Sequence, residues 1–238
     1  PTGNLVHRDQ LSPKGGTFEA RRDPSESASE FLATTDEWSR PVFLTNGPDG
    51  ALYPCDMYRK TIEHPTYLPD EIAAVTDFDA GKDRGRIYRI TAAEEYTRPD
   101  FGETTTEALV VALAHPNGWH RDTAQRLLLQ KLGPETTSLL EKSLQEIESA
   151  HAHIRTLYLL KASNALTEAH ILNALHNDSA EVREQALRLA REIPAHSPEL
   201  YDAIMALASD LHPHVRFVCA LAPGDTESSG TDTPAALA

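Results

Sequence analysis

The chain has 238 residues, 40% of them hydrophobic, 24% charged and 6% aromatic, and its 22 Lys and Arg against 36 Asp and Glu leave a formal net charge of −14. That composition fits one or two folded domains rather than a disordered chain, and the acidic balance argues against a nucleic-acid binder, which needs a basic footprint. No apolar run approaches the roughly 20 residues that span a bilayer.

The chain opens Pro1-Thr2-Gly3-Asn4, with no initiating Met and no basic-then-apolar leader, and so reads as a piece of a longer protein. Up to residue 102 short apolar runs alternate with turn residues. Asn4-Leu5-Val6-His7 is one run and Pro41-Val42-Phe43-Leu44 another. Asn46-Gly47-Pro48-Asp49-Gly50 then leads into Ala51-Leu52-Tyr53. Asp-Gly between two apolar runs predicts a hairpin, because glycine accepts positive φ without steric cost. The alternation in Arg86-Ile87-Tyr88-Arg89-Ile90 predicts a half-buried strand. Between the two lies a long segment, 56–83, broken by Pro65 and Pro69. A connection of that length is usually functional or disordered.

From residue 103 the period becomes helical. Helices are expected at 107–114, 119–132, 137–148, 151–166, 167–176, 180–193, 198–211 and 214–221. The second helix of each pair opens alike, at His120-Arg121, Ile154-Arg155, Val182-Arg183 and Val215-Arg216. A self-similar helix pair every 28–34 residues is the signature of an α-solenoid, and Asn177 to Arg183 looks like a HEAT-type turn in which Asp178 or Ser179 caps the helix. The alternative is an ordinary helical bundle. The expected organisation is thus a strand domain at 1–102, helical repeats at 103–222 and a disordered linker at 223–238.

Three stretches carry a family resemblance: Trp38-Ser39-Arg40-Pro41-Val42, then Asn46 through Tyr53 with Asp56-Met57-Tyr58-Arg59 and Ile62-Glu63-His64-Pro65, and finally Gly81 through Ile90. Together they resemble the end of the β-propeller in a family of membrane-bound dehydrogenases of planctomycete-type bacteria, a propeller similar to the glucose/sorbosone dehydrogenase group. Asn4-Leu5-Val6-His7-Arg8-Asp9 resembles the preceding blade. The resemblance covers about residues 1–92. It implies a fold of β plus α: a partial β-propeller of one to two last blades, followed by an α-solenoid of HEAT-like helix pairs. It also implies a C-terminal fragment of a periplasmic or cell-envelope quinoprotein that oxidises a sugar or alcohol. Pyrroloquinoline quinone is the cofactor implied for the parent protein, and haem c would sit only in a domain outside this sequence, since no CxxCH occurs here. The competing expectation is a non-enzymatic propeller and HEAT scaffold for a protein or glycan partner. On either view this piece alone is expected to be inactive, because roughly two blades cannot wall a central channel.

Lys82, Arg84, Arg86 and Arg89 put four cations into eight residues, and within that frame Lys82, Arg84 and Arg86, with Arg59, are the residues expected to hold an anionic cofactor. The plainer reading is an exposed ladder neutralised by Asp77, Asp79 and Asp83. His64 is the candidate general base, with Glu63 or Asp56 to orient it; the plainer reading is a loop pinned by an Asp56–Arg59 ion pair. No metal site is expected. Asp49-Gly50 lacks the alternating carboxylates of a calcium loop, and His151-x-His153 and His212-x-His214 lack a third ligand nearby in sequence. Cys55 and Cys219, 164 residues apart, show no CxxC spacing and are expected as small buried hydrophobes. A protein partner would sit on the helical repeats, where Trp119 and Tyr158 are expected in the core.

Overall fold

The computed structural model describes residues 3–91, 104–193 and 197–221. The linker expected at 223–238 and the boundary expected at 102/103 lie outside them. The chain forms two units, Pro1–Ser12 with Glu19–Pro99 and Pro13–Phe18 with Asp100–Ala238.

In the first, the Asp-Gly signal produces the expected hairpin. β5 (Pro41–Asn46) pairs antiparallel with β6 (Leu52–Asp56), with a β-bulge between Pro41 and Phe43. Gly50 has φ +76, which the turn requires. Tyr53 lies so close over Gly47 that a Cβ there would meet its ring at 2.2 Å. The run 86–90 lies along the other side of β6: β7 (Arg86–Ile87) pairs Cys55 with Ile87 and Asp56 with Arg86, and a bridge joins Leu52 to Ile90. Ahead of this sheet, β1 (Leu5–Val6) pairs antiparallel with β4 (Leu32–Ala33). Between those two strands stands a hairpin of β2 (Asp9–Lys14) and β3 (Thr17–Arg22), joined at Gly15-Gly16, with Gly15 at φ +59. Among the described residues the sheets have two, two and three strands, and none closes into a barrel or propeller.

Because Phe43, Cys55 and Ile87 are cross-strand partners, their side chains share one face of the three-stranded sheet. Phe43 is 62% exposed and Ile87 67%. Leu44 and Tyr88, on either side of Pro54, are exposed as well. Apolar side chains on an uncovered sheet are costly in water.

In the second unit the helices are α2 (Thr106–Ala112), α3 (Gly118–Leu129), α4 (Pro134–Leu144), α5 (Ala150–Ala162), α6 (Glu168–Leu175), α7 (Ala180–Ala190), α8 (Pro198–Ala206) and α9 (Pro213–Leu221). Each starts where a capping or N1 signal stands: Thr105, Asn117, Ser149, Thr167, Ser179 and Ser197 accept a backbone N–H of the first turn, and Pro134, Pro198 and Pro213 stand first in their helices. Ser179, not Asp178, caps α7. α2 packs on α3, α4 on α5 and α6 on α7, while α8 and α9 meet through the 3-10 turn Leu207–Ser209. Second helices also pack on second helices, α3 on α5, α5 on α7 and α7 on α9, and first helices on first, α2 on α4 and α6 on α8. This is solenoid-like packing. α5 is a shared wall: Leu159 and Leu160 belong to the core of α2–α4, Leu157 to that of α6–α9. The stripe Ala186, Leu187 and Ala190 is fully buried.

The recurring arginine has a repeated task. Arg121, Arg183 and Arg216 each send Nη1 back to the carbonyls six and five residues earlier: His115 and Pro116, Asn177 and Asp178, Asp210 and Leu211. Each thereby closes the turn between the two helices of its pair. Arg155 differs because α5 starts earlier relative to its arginine. Ser149, six residues back, is already the N-cap, so Arg155 turns instead to Asp122 (2.6 Å) and Gln125 of α3. Arg183 also makes a two-pronged ion pair with Asp210, at 2.7 and 2.9 Å, tying α7 to the turn before α9.

Candidate functional site

The expected site residues lie around the end of β6 and the long loop that follows. Asp56, the last residue of β6, is 3% exposed. Its Oδ1 accepts the backbone N–H groups of Arg40 (2.7 Å) and Tyr58 (2.9 Å), and its Oδ2 accepts the Ser39 hydroxyl (3.1 Å). A buried carboxylate needs such donors. They bind the start of β5 to the end of β6. Arg40, also buried, donates to Asn4 Oδ1 (2.6 Å) and to the Lys60 carbonyl (3.1 Å), so it joins the segment before β1 to the same point.

The loop leaves at Met57 and returns at Gly85, and its two ends are stitched together. Lys60 N donates to Ala80 O at 3.2 Å. Arg59 Nη1 donates to the carbonyls of Met57, Tyr58 and Gly81, at 3.1, 3.1 and 2.9 Å. Gly81 sits at φ +89, and a Cβ there would come within 2.7 Å of Tyr58 O. Tyr58 itself holds φ +50, a region unusual for a non-glycine residue. Arg86 lays its guanidinium over the Tyr58 ring, 4.0 Å from the centroid, and stands 3.9 Å from Asp56 Oδ2. Beyond this neck, the loop carries the 3-10 turn Pro65–Tyr67 and the single-turn helix α1 (Asp70–Ala73). It exposes Tyr67, Ile72 and Val75.

The expected acid–base group does not converge. His64 is the N-cap of the 3-10 turn: its Nδ1 accepts the Thr66 N–H at 3.2 Å and its ring meets Tyr67 edge-on. Glu63 is exposed. The bonds of Asp56 go to Ser39, Arg40 and Tyr58 rather than to His64.

Nor do the cations form a cradle. Arg59 is taken by three carbonyls and Arg86 by Tyr58 and Asp56. Lys82 Nζ lies 2.7 Å from Asp79, whose carboxylate holds the Lys82 ammonium above its usual pKa. Among the described residues the Arg84 guanidinium alone of the four has no side-chain or carbonyl partner. A tricarboxylate such as pyrroloquinoline quinone needs several converging free donors, whereas Arg59 and Arg86 are committed to holding the loop and Lys82 is paired locally with Asp79. The cluster therefore does not fit that cofactor.

The sequence pointed to Asp56 and Arg59 but not to the task they share with Ser39, Arg40, Tyr58 and Gly81. Gly81 was the readable signal, a glycine at the point where the loop returns. In the helical unit, Cys219 is buried, and burial pushes its thiol up. Cys55 is half-buried. His153 is buried, and burial lowers its pKa. Trp119 and Tyr158, expected in the core, are half-buried, and Tyr158 packs against the core of α6–α9. Among the described residues no three His, Cys, Asp or Glu side chains could hold a metal ion, and no helix is long and apolar enough to cross a membrane.

Residues 1–94 match the model of a family described as a domain of unknown function, DUF7133. No curated protein matches the chain, and no solved structure does.

Proposed function

We propose that the chain is a binding scaffold in which the strand unit supplies the last blades of a β-propeller and the helical unit is a HEAT-like solenoid for a protein or glycan partner. The observation that carries this reading is the Phe43–Cys55–Ile87 row, an apolar stripe across three strands whose outer members Phe43 and Ile87 are exposed among the described residues. Propeller blades stack face to face, so such a stripe is what an adjacent blade would cover. Without that neighbour the stripe should drive self-association. Light scattering coupled to size exclusion tests this on the whole chain: wild type should grow in mass with concentration, and Phe43→Thr with Ile87→Thr should stay monomeric. A monomer at every concentration would sink the reading.

A second reading is the quinoprotein-type sugar or alcohol dehydrogenase fragment of the bacterial envelope. The resemblance over residues 1–92 supports it, as does the unpartnered Arg84 beside Arg86. On that reading the quinone is held by the rest of the propeller, with Arg84 as one contact at its rim. Dye reduction by the parent protein, lost in Arg84→Ala, is its test; unchanged activity would leave Arg84 without that role.

A further inference from the structure

His7, which follows β1, is a group that the proposed function leaves unused. Both of its ring nitrogens face carboxylates: Nδ1 lies 2.8 Å from Glu30 Oε2, and Nε2 lies 2.9 Å from Asp9 Oδ1. A neutral imidazole has one N–H and one lone pair, so it can donate to only one of the two, whereas the imidazolium donates to both. The charged groups facing His7 are Asp9 from β2, Glu30 ahead of β4 and Arg22 from β3. Arg22 Nη2 lies 2.8 Å from Glu30 Oε1 and 3.2 Å from His7 Nδ1. The surrounding contacts are of the same kind: Arg8 donates to Glu26 at 2.5 Å and Gln10 to Asp23 at 2.6 Å. No side chain from residue 7 to residue 31 is buried, so the base of the β2–β3 hairpin rests on polar contacts rather than on a packed core.

We propose that His7 is a proton-operated staple, closing the base of the β2–β3 hairpin as imidazolium and loosening it when the proton leaves. On proton loss, Arg22 Nη2 can donate to the freed Nδ1 lone pair, and Glu30 Oε2 then faces a lone pair instead of an N–H. Arg22 keeps Glu30 through Oε1, so the loosening is confined to the His7 side. The direction follows from the geometry. The hydrogen bond to Glu30 raises the His7 pKa above its ordinary 6.5; desolvation opposes it, the contact with Asp9 adds to it, and the Arg22 charge opposes it. A raised folded pKa means the staple is fully present below pH 6.5 and is lost as pH rises through the folded value. The window therefore opens at 6.5 and lies above it.

The test is an NMR titration of the His7 ring in the whole chain, together with amide exchange at residues 9–12 and 19–22, corrected for the intrinsic pH dependence of exchange. The His7 midpoint should lie above 6.5 and fall toward it in Glu30→Gln. Protection of those amides should drop across the same window in wild type and be flat in His7→Gln. A His7 midpoint at or below 6.5, or hairpin protection that ignores pH in wild type, would overturn the proposal. Glu30→Gln keeps it testable if His7→Gln misfolds.

Discussion

Gly81→Ala tests the neck of the 57–85 loop, and the structure sets its size. At φ +89 an alanine carries a left-handed cost of about 1–2 kcal/mol. The new Cβ would meet a backbone oxygen, Tyr58 O, at 2.7 Å, so the chain must move rather than a side chain. That movement strikes two bonds, Arg59 to Gly81 O and Lys60 N to Ala80 O, each worth about 1 kcal/mol. The total is roughly 3–4 kcal/mol. Gly50→Ala is the internal control: φ is +76 but the space around the added carbon is open, so only the first cost, about 1–2 kcal/mol, applies. The assay is urea unfolding followed by Trp38 emission in a Trp119→Phe background, since the chain has two tryptophans and Trp38 stands 6.0 Å from Tyr58. Gly81→Ala should lower the midpoint clearly more than Gly50→Ala at unchanged slope. Equal effects of the two would refute the close approach and the neck built on it.

Three further outcomes concern the helical unit. Leu187→Ala should cost about 2–5 kcal/mol and Leu187→Asp more, because Leu187 is fully buried where α7 meets its neighbours; an unchanged calorimetric transition would put it on the surface. Arg183→Ala should cost about 3 kcal/mol in urea, since it strands Asp210, and distinctly more than Arg216→Ala, which loses only turn carbonyls; equal losses would deny the ion pair its role. Burial lowers the His153 pKa, so the unfolded state takes up the proton first, and stability should fall as pH drops below 6.5 toward the folded value. His153→Leu should flatten that limb of a pH–melting curve, and an unaltered limb would assign it to other groups.

Much of the fold was legible because its signals are local. The hairpin of β5 and β6 follows from Asp49-Gly50. Ser179 is the one helix start read as a cap candidate; Asn117, Ser149 and the N1 prolines carry the same local signal, and the solenoid follows from the spacing of Arg121, Arg155, Arg183 and Arg216. The β2–β3 hairpin is less legible although Gly15-Gly16 marks its turn, because its strands bury nothing and the alternation is limited to Phe18 and Ala20 of β3. The site was less legible. Asp56, Glu63 and His64 are close in sequence, but Asp56 faces inward while His64 caps a turn on the loop, and sequence proximity cannot tell those apart. The basic cluster looked like an anion site because a sequence shows charges but not the carbonyls that occupy them; Arg59 spends its guanidinium on Met57, Tyr58 and Gly81.

Arg59 and Arg86 hold the neck of the loop and are not free to hold a cofactor, which leaves Arg84 as a lone guanidinium. Isothermal titration of pyrroloquinoline quinone into the whole chain, with calcium present, measures this directly. The account predicts no saturable heat, and the same trace for Arg84→Ala with Arg86→Ala. Saturable binding to wild type that the double substitution weakens would contradict it.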